Sequence, residues 1–246
     1  MANTFYEPGE QRAAKVGELF AQVASRYDLM NDLQSFGLHR YWKQRVVRLA
    51  RPRAGERALD LCCGTGDLAL SLARCGAAVT GLDFSGPMLQ VAEQRASRAY
   101  PSRLGTPSRP APQYIRADAQ RLPFADHSFD IVTVGYGLRN LANWEAGLNE
   151  MRRVSRPGGR LLVLDFGKPD NPLWRSLYFG YLRLFVPCLG RLVCGNSAAY
   201  AYILESLQHY PAQHGVAATM HDLGLANVRI ISLLGGVMAI NYGERD

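Results

Sequence analysis

The residues best placed to do chemistry are acids that stand at or just past the ends of short apolar runs: Asp60, Asp83, Asp118 and Asp165. A carboxylate there can accept hydrogen bonds from hydroxyl or amino groups, or face a cation. Asp60 is followed by Leu61-Cys62-Cys63-Gly64-Thr65-Gly66-Asp67. Gly64 and Gly66 leave no side chain between backbone and ligand, and they permit positive φ. Asp67 then falls where a helix N-terminus favours a negative charge. Arg139 and Asn140 follow another apolar run, Phe129–Gly135. The stretch Ala58–Ala69 thus reads as buried strand, tight turn and helix start, the way a doubly wound α/β protein opens a nucleotide site.

The turn Gly64-Thr65-Gly66-Asp67-Leu68-Ala69 fits G-x-G-x-x-A, so it does not by itself exclude a dinucleotide. Asp83 lies about twenty residues past Asp60, where an acid takes ribose hydroxyls in either cofactor class. Two details favour S-adenosylmethionine. Asp60 would repel a pyrophosphate but can face an amino group or a sulfonium, and Asp118 stands where an adenine amino group could be accepted. A short-chain dehydrogenase would also need Tyr-x-x-x-Lys. The lysines are Lys15, Lys43 and Lys168, preceded four residues earlier by Gln11, His39 and Leu164.

The elements that must position these groups alternate. Strands are predicted at Ala58–Leu61, Ala77–Leu82, Gln113–Ala117, Phe129–Gly135 and Arg160–Asp165. Helices are predicted at Asp67–Arg74, from Ser85-Gly86-Pro87 to about Ala99, and at Trp144–Ser155, the last ended by Pro157-Gly158-Gly159. Alternating β and α with short links gives a mostly parallel, doubly wound sheet with helices on both faces. In such sheets ligands bind beyond the carboxyl ends of the strands, where Asp60, Asp83, Asp118, Arg139, Asn140 and Asp165 all fall. Asn227–Leu233 and Gly236–Asn241 read as a closing strand pair, which makes the C-terminal strand antiparallel. Residues 100–112 hold a cluster of prolines and read as a long surface loop.

Before the first strand, residues 1–12 look like a loose tail. Residues 13–57 read as helical and basic, with Val16, Leu19, Phe20 and Val23 at helical spacing and a second helix from His39 to Ala50. The stretch Arg26–Trp42 is dense in aromatic, amide and ionisable side chains, more than a plain helical cover needs. The expected organisation is an N-terminal helical cover, 1–56, followed by the α/β domain, 57–246.

The net charge of +7 and pI near 9.3 suggest acidic partners. Cys62, Cys63, Cys75, Cys188 and Cys194 form no C-x-x-C pair and are odd in number, which argues against a disulfide framework and against a zinc site; no metal is expected. Met1–Arg12 lacks the apolar core of a signal peptide, so a reducing cytoplasm is the expected compartment. The segment at about 170–195 is rich in aromatic and aliphatic residues, with Arg175, Arg183 and Arg191 as its charges within 173–193. It reads as too short and too interrupted to span a membrane. It suits a helix on a membrane surface, a lid over an apolar substrate, or a packing helix between subunits.

Four blocks carry a specific resemblance. Tyr27-Asp28-Leu29-Met30-Asn31 with Ser35, His39 and Trp42, then Leu59–Asp67, then Gly137-Leu138-Arg139-Asn140, and finally Arg153–Leu161 followed by Asp165-Phe166, resemble the quinone C-methyltransferase family of menaquinone, phylloquinone and ubiquinone biosynthesis. The resemblance covers nearly the whole chain outside the 100–112 loop. It implies a Rossmann-like class I methyltransferase in which Thr65, Asp83, Asp118 and Ala119 contact S-adenosylmethionine while Gly64 and Gly66 bring the backbone close. Gly135 stands where the family often has serine, so a hydroxyl contact is absent there. Cys62-Cys63 replaces residues that are often small.

The chemistry implied is methylation of a ring carbon in a prenylated or phytylated demethylnaphthoquinol, with a benzoquinol of the ubiquinone pathway as the close alternative. A ring carbon becomes nucleophilic when its neighbouring phenol loses a proton, so the site needs a base or a cation. Arg139 and Asn140 are the catalytic candidates, with Tyr27, Asp28, Asn31 and His39 closing over from the N-terminal segment. Arg139 acts by charge, since it stays protonated; His39 has the intrinsic pKa for proton transfer. The substrate's tail implies transient membrane-surface contact by a peripheral protein, a second copy of the chain is a candidate partner, and no nucleic acid is expected. An NAD(P)-dependent oxidoreductase and a non-catalytic cofactor-binding protein are the remoter readings.

Overall fold

The computed structural model describes residues 27–101, 110–194 and 198–246, with the side chains of Tyr27 and of 193–202 left outside the description. The helix expected around Val16–Val23 and the body of the 100–112 loop lie outside the described residues.

Helix α1 (Tyr27–Ser35) turns through Phe36 and Gly37, both at positive φ, into α2 (Leu38–Ala50). Along α2, His39, Trp42, Val46 and Ala50 recur every three or four residues and are buried, the spacing of a core-facing helical stripe. Trp42, Val46 and Ala50 belong to the same hydrophobic core as the sheet.

The core elements follow as β1 (Arg57–Leu61), α3 (Asp67–Arg74), β2 (Ala78–Asp83), α4 (Gly86–Ala99), β3 (Gln113–Arg116), β4 (Phe129–Gly135), α5 (Trp144–Val154) and β5 (Ser155–Phe166). They agree with the expected elements to within a residue or two, except at β5. That strand starts directly after α5 and contains Pro157-Gly158-Gly159 instead of following them. Between the pairs Phe129↔Ser155 and Ile131↔Arg160, β4 advances two residues and β5 five. The proline and glycines sit in this bulge, where a missing ladder donor and a positive φ at Gly158 are tolerated.

Three helices come next, α6 (Pro172–Cys194), α7 (Ala198–His209) and α8 (Ala212–Asp222), and then β6 (Leu225–Leu233) and β7 (Met238–Arg245). The seven strands run in the order β3-β2-β1-β4-β5-β7-β6. β1 to β5 are mutually parallel, and β7 is antiparallel to both of its neighbours. The central strands are buried on both faces, as Leu59, Val132 and Leu161 to Leu164 show, because helices cover both sides. The segment read as interrupted is one continuous helix, α6, which passes through Pro187. Among the described residues no helix is long and apolar enough to cross a membrane.

Arg160 of β5 ties α2 to the sheet. Its Nη1 donates to the carbonyls of Ala50 (2.6 Å) and Arg51 (3.0 Å), and its Nη2 pairs with Glu56. These bonds satisfy carbonyls at the end of α2 that have no partner within the helix. Replacing Arg160 with methionine keeps the apolar stem and removes the bonds. The unfolding free energy is expected to fall by about 1–3 kcal/mol, read as a lower urea midpoint at unchanged m-value; an unmoved midpoint would deny the stitch any role.

Candidate active site

The strand order reverses direction at β1 and β4, so the loops after these strands diverge and leave a crevice. Two adjoining cavities occupy it. The larger, about 110 Å³, is lined by Gly64, Asp83, Ser85, Met88, Asp118, Ala119 and Asn140 among others. The smaller, about 30 Å³, is lined by Lys43, Asp60, Cys63, Thr65 and Leu68. Cys62, Gly64, Gly135 and Tyr136 line both, so the two are neighbouring parts of one site. Cys62 and Tyr136 have positive φ without being glycine, a strained conformation that concentrates at functional sites.

Asp60 is the buried acid of this crevice, 1% exposed. One carboxylate oxygen accepts from the Thr133 hydroxyl of β4 (2.9 Å) and the other from the Ala69 amide of α3 (3.0 Å). Burial raises its pKa from 3.8 to about 7 against these bonds and the nearby Lys43. Asp83 accepts from the amides of Gly64 and Ser85, both at 2.8 Å, so it shapes the turn it was expected to face a ribose beside. Its remaining lone pairs still border the larger cavity, and burial raises its pKa too. Asp118 is exposed at the cavity's edge and accepts from the Gln120 amide (2.8 Å).

A charged chain crosses from the N-terminal helices to this site. The Thr65 hydroxyl donates to Asp28 (2.9 Å), Arg95 of α4 bonds Asp28 (2.8 Å) and also pairs with Asp67, and Lys43 of α2 donates to Asp67 (2.8 Å). Asp67 therefore serves as a shared counter-ion within its helix's first turn, not as a side-chain cap.

Beyond β4, Arg139 and Asp165 form an ion pair at 2.8 Å with both side chains 4% exposed. The Arg139 guanidinium also donates to the Tyr136 carbonyl (2.7 Å) and lies 4.5 Å from the centre of the Phe166 ring. Asn140 donates to the same carbonyl (3.0 Å), while its Oδ1 is buried with no hydrogen-bond partner among the described residues. The buried hydroxyls of Tyr178 and Tyr210 also lack partners there. Burial pushes both phenols up, and both feel the charges of Arg139 and Asp165.

Of the residues singled out in the sequence, Asp60, Gly64, Thr65, Asp83, Asp118, Ala119 and Asn140 meet in the crevice. Gly66, Arg139 and His39 line neither cavity. Gly66 has φ +79, and a Cβ there would lie 2.5 Å from the Tyr114 hydroxyl; its close approach is to the protein's own tyrosine. His39 is buried with Nδ1 3.1 Å from the Ser35 hydroxyl and 3.6 Å from Asp32. Burial and the charge of Lys43 lower its pKa. Asn31 bonds Gln34 on its own helix (2.8 Å), and the side chain of Tyr27 lies outside the described residues. Sequence reading missed Lys43, Arg95, Tyr178 and Tyr210, which come from four different helices or their ends and share no local motif.

The residues fit S-adenosylmethionine. Gly64, at φ +53, has nothing within 4 Å of a built Cβ, so the turn leaves an open cradle at the junction of the cavities. Acids stand at both ends of it. Among solved structures, the fold resembles a methyltransferase from Thermotoga maritima described as a possible histamine N-methyltransferase (TM-score 0.65, 14% identity, covering 93% of this chain and 99% of that one). It also resembles a SAM-dependent methyltransferase from Aquifex aeolicus (TM-score 0.60, 16% identity, 89% and 98%). Fold and crevice together are those of a Rossmann-like, S-adenosylmethionine-dependent methyltransferase. The chain belongs to the ubiE/COQ5 methyltransferase family, whose model matches residues 8–245. It is 41% identical over 239 residues to the ubiquinone/menaquinone biosynthesis C-methyltransferase UbiE of Ectopseudomonas mendocina, covering 96% of this chain and 91% of the relative. It is 40% identical over 240 residues to the demethylmenaquinone methyltransferase of Desulfitobacterium hafniense, covering 96% and 92%.

Two outcomes follow from this geometry. Because the folded-state pKa of Asp60 lies above its usual value, the associated stability is complete below about pH 4 and is lost as pH rises through about 7. Asp60→Asn removes that dependence, so the difference in unfolding free energy should move in the variant's favour between these limits. His39, shifted downward, loses stability as pH falls, but it does so in both proteins and cancels in the difference. Urea titrations across this range check it, and a pH-independent difference would contradict the buried-acid reading. Gly64→Val adds branched carbon to the cradle at a positive φ and is expected to abolish binding of S-adenosylhomocysteine in calorimetry, with the far-ultraviolet dichroism retained.

Proposed function

We propose that the chain methylates a ring carbon of a prenylated demethylnaphthoquinol, the last methylation of menaquinone or phylloquinone biosynthesis. The observation that carries this reading is the unpartnered, buried Oδ1 of Asn140 on the wall of the donor cavity, next to the buried Arg139–Asp165 pair. A quinol's phenol needs a hydrogen-bond acceptor that orients it, in a setting where the developing oxyanion feels the Arg139 guanidinium; the proton itself passes to solvent, since an amide oxygen is not a base.

S-adenosylmethionine, when bound, supplies an electrophilic methyl group. The protein's share is to orient the ring and raise its nucleophilicity. Asn140 accepts the phenolic hydrogen bond and fixes the ring beside the crevice. Arg139 acts through its charge, and Asp165, bonded to both its guanidinium and its backbone amide (3.2 Å), sets its direction. The buried, unpartnered hydroxyls of Tyr178 and Tyr210, which feel the charges of Arg139 and Asp165, are in this reading further partners for the quinol oxygens. His39, whose pKa is lowered by burial and by the charge of Lys43, supports α2 in this reading.

The prenyl tail gives α6 a use. Leu173, Leu177, Leu184 and Leu192 are each at least 60% exposed, Cys188 continues their stripe, exposed Arg191 falls within it and exposed Arg183 lies to one side. An exposed leucine stripe with Arg183 and Arg191 on or next to it suits an anionic lipid surface. Docking there would bring the tail to a protein that stays outside the bilayer.

The deciding experiment supplies labelled S-adenosylmethionine with reduced and oxidised short-chain demethylnaphthoquinone and benzoquinone acceptors. Methyl transfer to the reduced naphthoquinol, with the oxidised form inert, is expected. Preference for the benzoquinol would move the assignment to ubiquinone biosynthesis, which the name of the Ectopseudomonas relative also covers. Asn140→Ala should lower kcat by about 10²-fold while S-adenosylhomocysteine affinity changes far less. In flotation with anionic vesicles, the wild type should rise with the lipid and Leu177→Ser/Leu184→Ser should not; a wild type left at the bottom would remove the membrane role of α6.

A further inference from the structure

We infer that Lys43 binds the carboxylate at the amino-acid end of the methyl donor, which makes α2 a part of the donor site and not only a cover for the acceptor. The inference rests on the S-adenosylmethionine dependence of the family and on nothing in the acceptor assignment.

The smaller cavity holds one cation and one acid. Lys43 and Asp60 line it beside Thr65 and Leu68. A small polar space with one ammonium and one carboxylate complements a zwitterion, whose carboxylate meets Lys43 and whose ammonium meets Asp60. The space joins the larger cavity through Cys62, Gly64, Gly135 and Tyr136. A single ligand with a zwitterionic end and a nucleoside body fits that division, with the nucleoside toward Asp83, Asp118 and Ala119.

Lys43 is held ready for this contact. Its side chain is 12% exposed, and its Nζ is 2.8 Å from Asp67 and 5.9 Å from the centre of the Tyr136 ring. An ammonium has three donors, and Asp67 is its one hydrogen-bond acceptor among the described residues. Asp67 is also shared with Arg95 on its other oxygen, so it does not have to leave Arg95 or Lys43 when a second carboxylate arrives. Asp67 thereby aims Lys43 while part of its donor capacity stays unused.

A purely structural reading, in which Lys43 only pins α2 to α3 through Asp67, predicts different behaviour, and calorimetry separates the two. The probes are S-adenosylhomocysteine and its decarboxylated analogue, which keeps the amine and the nucleoside. The wild type is expected to prefer the carboxylated ligand by about 10- to 100-fold, the scale of one charge-assisted hydrogen bond. Lys43→Met should lose that preference by weakening S-adenosylhomocysteine alone, and Lys43→Arg should restore most of it. Asp67→Asn breaks the ion pair but keeps Lys43, and should retain a preference for the carboxylated ligand. Equal weakening of both ligands by Lys43→Met, or a wild type that binds both within about twofold, would overturn the inference. The wild-type comparison decides the matter even if Lys43→Met does not fold. Because no acceptor is used, failure here leaves the quinol assignment untouched, and failure of ring methylation leaves this test intact.

Discussion

The crevice depends on one buried carboxylate. Asp60 sits at the carboxyl end of β1 with its two oxygens bonded to Thr133 of β4 and to the Ala69 amide of α3. Burying a carboxyl without such partners would cost several kcal/mol. With them, it fixes the spacing of the two strands between which the sheet order reverses, and the point at which α3 begins. The turn Cys62–Gly66 is then held between two anchored ends. Gly64 donates to Asp83 and Gly66 to the Cys63 carbonyl, so the peptide groups lining the cradle are positioned before any ligand arrives.

The N-terminal helices join the sheet through two kinds of contact. Trp42, Val46 and Ala50 add α2 to the common core, which gives non-directional stability. The chain of Thr65, Asp28, Arg95, Asp67 and Lys43 gives direction. Its Asp28–Arg95 link is about one-third exposed, so solvent screening keeps it to about 1 kcal/mol or less. The Lys43–Asp67 link is better shielded. The core thus holds α2 against the sheet, and the ion pairs fix which of its side chains face the crevice. Arg139–Asp165 differs, because both groups are withdrawn from water. Removing one partner of a buried pair leaves an uncompensated charge and costs about 3–5 kcal/mol, so this pair fixes the local geometry beside Asn140 whether or not it adds net stability.

The helical connections in the C-terminal third tie the Arg139–Asp165 cluster to the surface. Tyr178 on α6 reaches the neighbourhood of Arg139, while Leu177 and Leu184 on the same helix face outward. Tyr181 donates to the Gln34 carbonyl of α1 (2.6 Å). A single helix thus reaches the Arg139–Asp165 cluster, α1 and the exterior.

The sequence by itself determined the parallel sheet, the strand ends that carry Asp60, Asp83, Asp118 and Asp165, the glycine turn between them and the family. These rest on signals local to each element, a period of two or 3.6, a breaker or a short motif, and on the order of those signals along the chain. It did not determine the course of the bulge in β5, where Pro157-Gly158-Gly159 is a stop signal locally and a tolerated irregularity in the sheet. Nor did it determine that α6 runs unbroken through Pro187, since packing on one side of that helix outweighs the one backbone bond a proline removes. Tertiary structure alone decided the partners of the charges. Arg139 pairs with Asp165, Asp67 with Lys43 and Arg95, and Gly66 makes room for Tyr114, each across a separation that no sequence period encodes. The reason is physical. Hydrophobic burial follows each element's own pattern, whereas an ion pair or a close backbone contact exists only once two separately specified elements have been packed together.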